Sequence, residues 1–495
     1  MIHASLSEIK QGYKGLKHRV KRFVDSGDFT SAMDYIGHCT TIASQFNWIY
    51  SDDEIEELLD SIATEVIDTT ILEGFEIDKD NWVFYDDYCT SYVLALQWMT
   101  ALSKTGKRIL YITSRFTYDN RGNISILPYI ERMPNVSVEV IQDGPVLERA
   151  NSLFQSIIRF NASKVILHKA MDSLIQLPLC ALPHDIEVYN VNLADQFFWL
   201  GVRHIDYNIE FRPFGVSVSL QKRGFKKEQL LMIPYYPANE NRPFEGFPVG
   251  CDGKLLIFSG GDYYKTWDKK GIYWKLVAEI LNRHKDVAFL YAIKRNPINT
   301  TRVEEFIKSN HFEDRFFYIE RRQDIYQVFS HCDIYMGTCP ISGSLMSQLA
   351  AINGKPILQY YAPGTPDDET EQALCIYDKF KISFDSEKEF LEEADRLIND
   401  VKYRNKQGAR LKAAMMQPEQ FDEIVKQSLI SNISQLPIYF KSIDYKKLDK
   451  RWHMLEKCGF TNAGVYIRSL LGKRMCLRYA PSLFIKVSLH QTCAL

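Results

Sequence analysis

The chain has 495 residues, of which 46 % are apolar and 25 % charged, and its formal net charge is -2. This length predicts two or three domains, and the near-zero charge excludes a general electrostatic attraction to nucleic acid or membrane. Residues 1–28 lack the apolar core of a signal peptide, and no apolar run reaches the ~18 residues of a membrane span.

The first 80 residues carry apolar side chains at three- and four-residue spacing, which is typical of amphipathic helices. The polar run 51–54 comes directly before the third of these segments and has the composition of a helix N-terminus. We therefore predict a helical N-terminal cap over residues 1–80, without a functional site.

From residue 82 onward, apolar strands alternate with helical segments, first over 82–230 and again over 254–400. Residues 231–253 are rich in Pro, Gly and Asn and lack periodicity, which predicts a linker. Strands that alternate with helices in one direction form parallel sheets covered on both faces. We predict an α/β fold with two Rossmann-like, doubly wound domains that face each other across a cleft.

Residues 401–495 have the pattern of a mainly helical region with a basic end. Residues 451–495 contain seven Lys or Arg and one Glu, interleaved with Leu, Tyr and Phe. This tail is either a packed and solvated helix or a peripheral contact with an anionic membrane surface.

Cysteine usage bears on location and on metals. The ten cysteines are scattered singly, with no CxxC pair and no ligand spacing with histidine. This predicts reduced, buried thiols in a cytoplasmic protein and no zinc site. With the basic tail, the predicted location is the cytoplasm or the inner face of the membrane.

The second α/β domain is the predicted ligand-binding domain, because parallel sheets bind ligands at the carboxyl ends of their strands, beside helix N-termini. Ser259, Gly260 and Gly261 follow the strand LLIF, where glycines let a phosphate approach the backbone. Lys294 and Arg295 follow VAFLYAI at the same edge and would neutralise a pyrophosphate.

Two further segments fall at that edge. Arg321 follows the strand FFYI, close to the expected place of a nucleotide base. Thr338, Ser342, Gly343 and Ser344 join a strand to a helix and offer N–H groups and hydroxyls. The structural alternatives are a solvated strand end and a tight turn with a capped helix. Four such segments in one domain favour nucleotide binding.

The second domain resembles the donor-binding domain of GT-B fold glycosyltransferases, through FSGGD, AIKRNP and DIYMGTCPISGSLMSQLAAINGKPIL. In the first domain, YNVNLADQFFWLGVRHIDYNIEFR is similar to a segment of bacterial polysaccharide glycosyltransferases. The likeness covers about residues 82–400. It implies a nucleotide-sugar donor, a glycan or lipid-linked acceptor in surface polysaccharide synthesis, and neither a metal nor another cofactor. The neutral overall charge argues against a nucleic-acid partner.

The chain departs from this pattern at two positions. Gln348 stands where many such enzymes have a ribose-binding Glu, although glutamine also hydrogen-bonds ribose hydroxyls. Leu193 stands where the first-domain segment has a His, and leucine cannot act as a base. The departures support an alternative, an inactive glycosyltransferase-like protein that binds glycan or stabilises a partner enzyme. A nucleotide-sugar epimerase is a third interpretation.

Carboxylates at strand ends are the candidate bases for the acceptor hydroxyl. Asp195 is the first candidate, because it follows a strand and matches the Asp of the resembling segment; Asp86 is the second. Either one could instead cap the helix that follows. The predicted acceptor-binding residues, able to stack on a sugar or bind its hydroxyls, are Trp199, Asp206 and Glu210.

Overall fold

The structure is a computed structural model, and it describes residues 4–87, 92–114, 126–169, 174–235, 242–261, 263–268, 270–293, 297–320, 322, 324–361, 369–376, 379–448 and 463–492. The chain forms two compact units. Unit 1 comprises Met1–Ile233 and Glu419–Leu495, and unit 2 comprises Pro234–Pro418. Each unit contains one parallel sheet with helices, and helical segments lie at both ends of the chain. The predicted fold class of two parallel α/β domains with helical extensions is confirmed.

Unit 1 is built on a seven-stranded parallel sheet. Its strands are β1 (Asp78–Asp86), β2 (Arg108–Ser114), β3 (Val136–Ile141), β4 (Ala162–His168), β5 (Glu187–Val191), β6 (Tyr207–Glu210) and β7 (Leu230–Met232). They lie in the order β3-β2-β1-β4-β5-β6-β7. In the centre, Phe84 of β1 is in register with Tyr111 of β2 and with Ile166 of β4. The run Trp82–Tyr85 is buried on both faces, as expected of an inner parallel strand.

Helices cover this sheet and extend it at both ends of the chain. The helices that precede unit 2 are Leu6–Asp25, Phe29–Phe46, Asp53–Val66, Tyr92–Ser103, Leu127–Ile130, Val146–Arg159, Gln176–Ala181 and Pro213–Lys222, and those that follow it are Pro418–Ser431, Ala463–Tyr479 and Pro481–Thr492. The first helix begins with a capping box between Ser5 and Glu8. One hydrophobic core joins the N-terminal helices, the sheet and the C-terminal helices, for example through Leu16, Val165 and Ile467.

Unit 2 is built on a six-stranded parallel sheet in the order β10-β9-β8-β11-β12-β13. Its strands are β8 (Leu255–Gly260), β9 (Val287–Ala292), β10 (Phe316–Ile319), β11 (Ile334–Met336), β12 (Ile357–Tyr360) and β13 (Ser383–Phe384). Its helices are Ile272–Arg283, Pro297–Asn310, Ile325–His331, Ser344–Ile352, Glu369–Ala373, Glu387–Asn399 and Val401–Ala414. Consecutive residues Ile257 and Phe258 belong to separate hydrophobic cores, because successive side chains point to opposite faces of the sheet. Within the described ranges, no helix has both the length and the hydropathy needed to cross a bilayer.

Candidate functional site

The strand order places one switch point in each sheet. In unit 1, strands β1 to β3 extend the sheet to one side and strands β4 to β7 extend it to the other. In unit 2, strands β8 to β10 and strands β11 to β13 divide the sheet in the same way. The loops that follow such a pair of strands diverge to opposite faces and leave a crevice, where open α/β sheets bind ligands. The carboxyl ends of β1 and β4, and those of β8 and β11, are therefore the candidate sites.

In unit 2, the segments after β8 and β11 meet at the switch point. A Cβ atom placed on Gly261 would lie 3.7 Å from Cγ2 of Thr338. The Thr338 hydroxyl donates to the carbonyl of Ile341 (2.7 Å), and the Ile341 N–H donates to the carbonyl of Lys265 (3.3 Å). The structure thus brings together two of the segments that the sequence assigned to the donor site.

Glycine is required where β8 ends. A Cβ atom on Gly260 would lie 2.8 Å from Cβ of Ala292 on the neighbouring strand, and Gly261 has a φ of 149°. Ser259 is buried, and its hydroxyl accepts a hydrogen bond from Tyr273 (2.7 Å). Backbone therefore forms this edge, while the Ser259 side chain serves the interior of unit 2.

The helix Ser344–Ile352 begins after Gly343 at the same edge. Gly343 is its N-cap and supplies no side-chain acceptor. The Ser342 hydroxyl donates to a carboxylate oxygen of Glu369 (3.2 Å), and the Cys339–Pro340 peptide bond is cis. Since no side chain of the described residues caps this helix, its first-turn N–H groups suit an anionic ligand.

Gln348 is fully buried and ties three segments of unit 2 together. Its Nε2 donates to the carbonyls of Tyr235 (2.9 Å) and Ala373 (3.0 Å). Both amide hydrogens are thus used within the fold.

Three predicted cations, Lys294, Arg295 and Arg321, lie outside the described residues. The neighbouring Arg322 is described, and its Nε donates to Asp324 (2.7 Å). Its guanidinium lies 5.4 Å from the ring centroid of Phe244.

In unit 1, Asp86 ends β1 and His168 ends β4, so the two residues meet at the switch point. Nδ1 of His168 lies 2.8 Å from Oδ1 of Asp86, and the Tyr111 hydroxyl donates to Oδ2 (2.5 Å). All three side chains are fully buried. The sequence identified Asp86 but missed His168; the only available signal was the position of a histidine at the end of the strand KVILH.

Asp195 lies after β5 and forms a buried ion pair. Both of its carboxylate oxygens accept hydrogen bonds from Arg212, at 2.5 Å from Nε and 2.8 Å from Nη2. Arg223 holds the same segment, because its Nη2 donates to the carbonyls of Asp195 (3.0 Å) and Phe197 (2.6 Å). Asp195 therefore positions an arginine and does not cap a helix.

Glu210 ends β6 beside this pair and is also fully buried. It accepts hydrogen bonds from Asn192 (2.9 Å), Asn208 (2.6 Å) and Ser219 (2.5 Å). Burial raises the pKa of Glu210 to about 7, against the lowering effect of the Ser219 hydroxyl, and the charge of Asp195 adds to the rise. Neutral and charged forms of Glu210 therefore coexist near neutral pH.

Of the other two predicted acceptor residues, Trp199 is buried and Asp206 lies at the opposite edge of the sheet. Trp199 is 2 % exposed and packs between cations, with Lys169 at 4.6 Å and Arg223 at 4.9 Å from its ring centroid. Asp206 comes directly before β6 and accepts from the N–H of Val188 (2.8 Å), so it lies at the amino-terminal edge of the sheet. The structure separates Asp206 from Asp195 and Glu210.

One cluster of metal-ligating side chains occurs among the described residues. Asp60, Cys180 and His204 bring ligating atoms within 4.8 Å of one another. His204 is hydrogen-bonded to Asp60 (2.6 Å), Arg203 lies 3.5 Å from the same carboxylate, and burial raises the pKa of the Cys180 thiol well above its usual value. Because a guanidinium lies beside it and its thiol is protonated, this cluster is better described as a group of ion pairs than as a cation site.

No protein-family model matches the sequence, and comparison with curated proteins gives no significant match. Solved structures do match the fold. Anabaena HepE in complex with UDP-glucose aligns with a TM-score of 0.52 at 13 % identity, over 71 % of this chain and 99 % of HepE.

Two further structures match in the same way. A point mutant of Thermobaculum terrenum O-GlcNAc transferase aligns with a TM-score of 0.50 at 11 % identity, over 90 % of this chain and 83 % of that protein. A Listeria monocytogenes protein assigned as a UDP-N-acetylglucosamine 2-epimerase aligns with a TM-score of 0.52 at 10 % identity, over 74 % and 100 %. At these identities the likeness shows the fold alone, and the chain has a GT-B-like fold.

Proposed function

We propose that this protein is a metal-independent, GT-B-type glycosyltransferase that transfers a sugar from a nucleotide-sugar donor to a glycan acceptor. The observation that carries this proposal is the meeting of Gly261 with Thr338 at the switch point of unit 2, beside an uncapped helix N-terminus. Glycine backbone, with the Lys265 side chain beside it and first-turn N–H groups nearby, suits the diphosphate of a nucleotide-sugar.

The proposed donor site combines this backbone edge with cations. Its proposed members are Gly260, Gly261, Lys294, Arg295, Arg321, Thr338, Ser342, Gly343 and Ser344. Helix N–H groups and cations stabilise the negative charge that develops on a leaving nucleoside diphosphate, so the reaction needs no metal. Ser259 and Gln348 support this edge from within unit 2.

For the acceptor, we propose His168 as the general base and Asp86 as the residue that orients it. The acceptor oxygen forms a bond to the anomeric carbon, the bond to the diphosphate oxygen breaks, and the acceptor proton passes to the imidazole. Asp86 contacts Nδ1, so Nε2 is the nitrogen that would receive the proton. His168 is buried, so this role requires local opening of the surrounding residues.

The proposed acceptor class is a glycan or lipid-linked glycan of bacterial surface polysaccharide synthesis, used at the cytoplasmic face of the membrane. The support is the likeness of YNVNLADQFFWLG to a segment of such enzymes. Arg223 holds the backbone of this segment, Arg212 pairs with its Asp195, and Glu210 accepts from its Asn192.

Two other functions have a specific observation in their favour. The use of Gln348 and Asp195 in internal contacts favours an inactive protein that binds glycan or stabilises a partner enzyme. The likeness to a Listeria protein assigned as an epimerase favours epimerisation of the nucleotide-sugar. Product analysis separates the three candidate functions. A transferase gives a glycosylated acceptor, an epimerase gives an isomeric nucleotide-sugar, and an inactive protein leaves the donor unchanged.

The test is a thermal-shift series with UDP, GDP, CMP, ADP and dTDP sugars, beginning with UDP-glucose because HepE was solved with it. A ligand that binds only the folded protein raises its melting temperature. Ser344→Trp should abolish the shift by covering the helix N-terminus. Glu387→Trp, at the first position of another helix of unit 2, should retain it. No shift with any donor, or equal shifts in both variants, would overturn the proposed site.

A further inference from the structure

The first helix of unit 1 presents a row of cations to solvent. Residues 4–25 contain six Lys or Arg and only two acids, Glu8 and Asp25. Lys10, Lys14 and Lys21 are exposed and follow one another at four- and seven-residue spacing, which places them on one helix face. The opposite face, including Ile9 and Leu16, is buried in the core.

The two C-terminal helices add cations and no acids. Residues 463–492 contain five Lys or Arg and neither Asp nor Glu. Lys473, Arg474 and Arg478 are exposed on the helix Ala463–Tyr479. Leu477 lies among them and is 49 % exposed, and Ile485 on the last helix is 55 % exposed.

These helices pack side by side, so their exposed faces adjoin. A Cβ atom on Gly15 of the first helix would lie 3.1 Å from Cδ2 of Leu471, and the rings of His18 and Tyr479 are 5.7 Å apart. Glu8, one of the two acids, is neutralised by Lys486 of the last helix at 2.7 Å. The resulting surface is strongly basic, whereas the whole chain has a net charge of -2.

We propose that this surface, which we call the basic helical face, docks the protein on an anionic lipid bilayer. It is defined by Lys10, Lys14, Lys21, Arg22, Lys473, Arg474, Leu477, Arg478 and Ile485. The cations complement lipid phosphates, and the aliphatic side chains enter the boundary between headgroups and acyl chains. Nucleic acid would supply phosphates for the cations but would leave Leu477 and Ile485 exposed to water. The combination of cations with exposed aliphatic side chains therefore favours lipid. The inference does not depend on the proposed transferase activity.

The experiment is co-sedimentation of the full-length protein with vesicles. One set contains phosphatidylcholine alone, and the other contains equal parts of phosphatidylcholine and phosphatidylglycerol. We expect binding to the anionic vesicles only, and weaker binding at high salt. Reversal of three cations (Lys473→Glu, Arg474→Glu, Arg478→Glu) should lower the partition coefficient by at least about a hundredfold, from roughly a fivefold contribution of each cation.

The matched control reverses three exposed lysines of unit 2, Lys381, Lys402 and Lys406. This control changes the net charge by the same amount as the first variant, and it should bind anionic vesicles as tightly as the wild-type protein does. The Leu477→Ser, Ile485→Ser variant should lose about tenfold and retain the salt dependence. Melting curves of each variant report whether unit 1 remains folded.

Three results would overturn the inference. The first is failure of the unchanged protein to bind anionic vesicles. The second is an equal loss in the control and in the Lys473, Arg474, Arg478 variant, which would indicate a general charge effect. The third is displacement of the protein from the vesicles by duplex DNA at the same phosphate concentration as the lipid, together with binding of that DNA in a mobility-shift assay. This result would identify a nucleic-acid-binding surface.

Discussion

Asp195 and Arg212, 17 positions apart in sequence, form a two-point ion pair in which both carboxylate oxygens accept from the guanidinium. Asp195 is 1 % exposed and Arg212 is 3 % exposed. A pair removed from water in this way is costly to break, because removal of one partner leaves an uncompensated buried charge. The pair therefore fixes the geometry of the segment after β5.

We predict that Arg212→Met lowers the free energy of unfolding of unit 1 by about 3–5 kcal/mol. Urea unfolding followed by circular dichroism measures the change. Arg203→Met is the control, because Arg203 forms an exposed pair with Asp60 whose loss should cost less than about 1 kcal/mol. Equal effects of the two substitutions would contradict the role of the buried pair.

Glu210 should make unit 1 less stable as the pH rises. Burial raises its pKa in the folded protein to about 7 from the ordinary glutamate value of 4.5, so the folded state binds the proton more tightly than the unfolded state. The unfolding free energy contributed by Glu210 is therefore fully present below pH ~4.5 and falls by about 3 kcal/mol as the pH rises to ~7.

The measurement compares the pH dependence of unfolding between the unchanged protein and Glu210→Gln. Because Gln does not titrate, the difference in free energy between the two proteins should change across that pH window. Buried acids that do not interact with Glu210 contribute equally to both proteins and cancel in the difference. Parallel pH profiles would show that Glu210 keeps an ordinary pKa in the fold.

The proposed base gives a prediction about turnover. His168→Gln should lower kcat by about 10²–10⁴-fold, the usual contribution of a general base. The thermal shift with the donor should be unchanged, because the proposed donor residues belong to unit 2.

The matched control is His284→Gln, which removes another Asp–His pair (His284 with Asp395, 2.7 Å) away from both switch points. It should leave kcat within a factor of about two, because neither His284 nor Asp395 belongs to the proposed donor or acceptor site. Full activity of the His168 variant would eliminate the imidazole as the base, and Asp86→Asn would then test the carboxylate alone.

Gln348 gives a prediction about the residue that the resembling enzymes carry. Gln348→Glu should destabilise unit 2 by at least about 3 kcal/mol, because a carboxylate would face the carbonyl oxygens of Tyr235 and Ala373 in a buried site. Chemical unfolding measures the loss, and calorimetry measures nucleotide affinity in the same variant. A stable Glu variant with tighter nucleotide binding would assign Gln348 to the ribose after all.

The sequence predicted the sheets well, because their signal is local. A continuous apolar run such as Trp82–Tyr85 can be buried on both faces only in an inner parallel strand, and its pattern is visible without any other part of the chain. The segments ending at Gly261 and beginning at Thr338 were placed at one edge for the same reason, since strand ends can be located from alternation alone.

The partners of the site residues could not be predicted, because they depend on strand order. His168 meets Asp86 across 82 positions only because β4 lies beside β1, and the sequence does not state which strands are neighbours. Arg212 follows the carboxyl end of β6 and likewise contacts Asp195 because β6 lies beside β5. Glu210 and Trp199 were predicted as acceptor-binding residues, and their burial by the sheet and its helices is a tertiary effect that the local pattern does not show.

Unit 1 is assembled from two stretches of chain separated by the whole of unit 2, and this has a consequence for biosynthesis. Contacts such as Glu8 with Lys486 join residues 478 positions apart, and Tyr35 donates to the carbonyl of Leu470. Unit 2 is one continuous stretch of chain, so its core can form while the C-terminal residues are still being translated. Unit 1 must wait for the helices Ala463–Tyr479 and Pro481–Thr492, so the apolar faces of its N-terminal helices remain partly uncovered until late in translation.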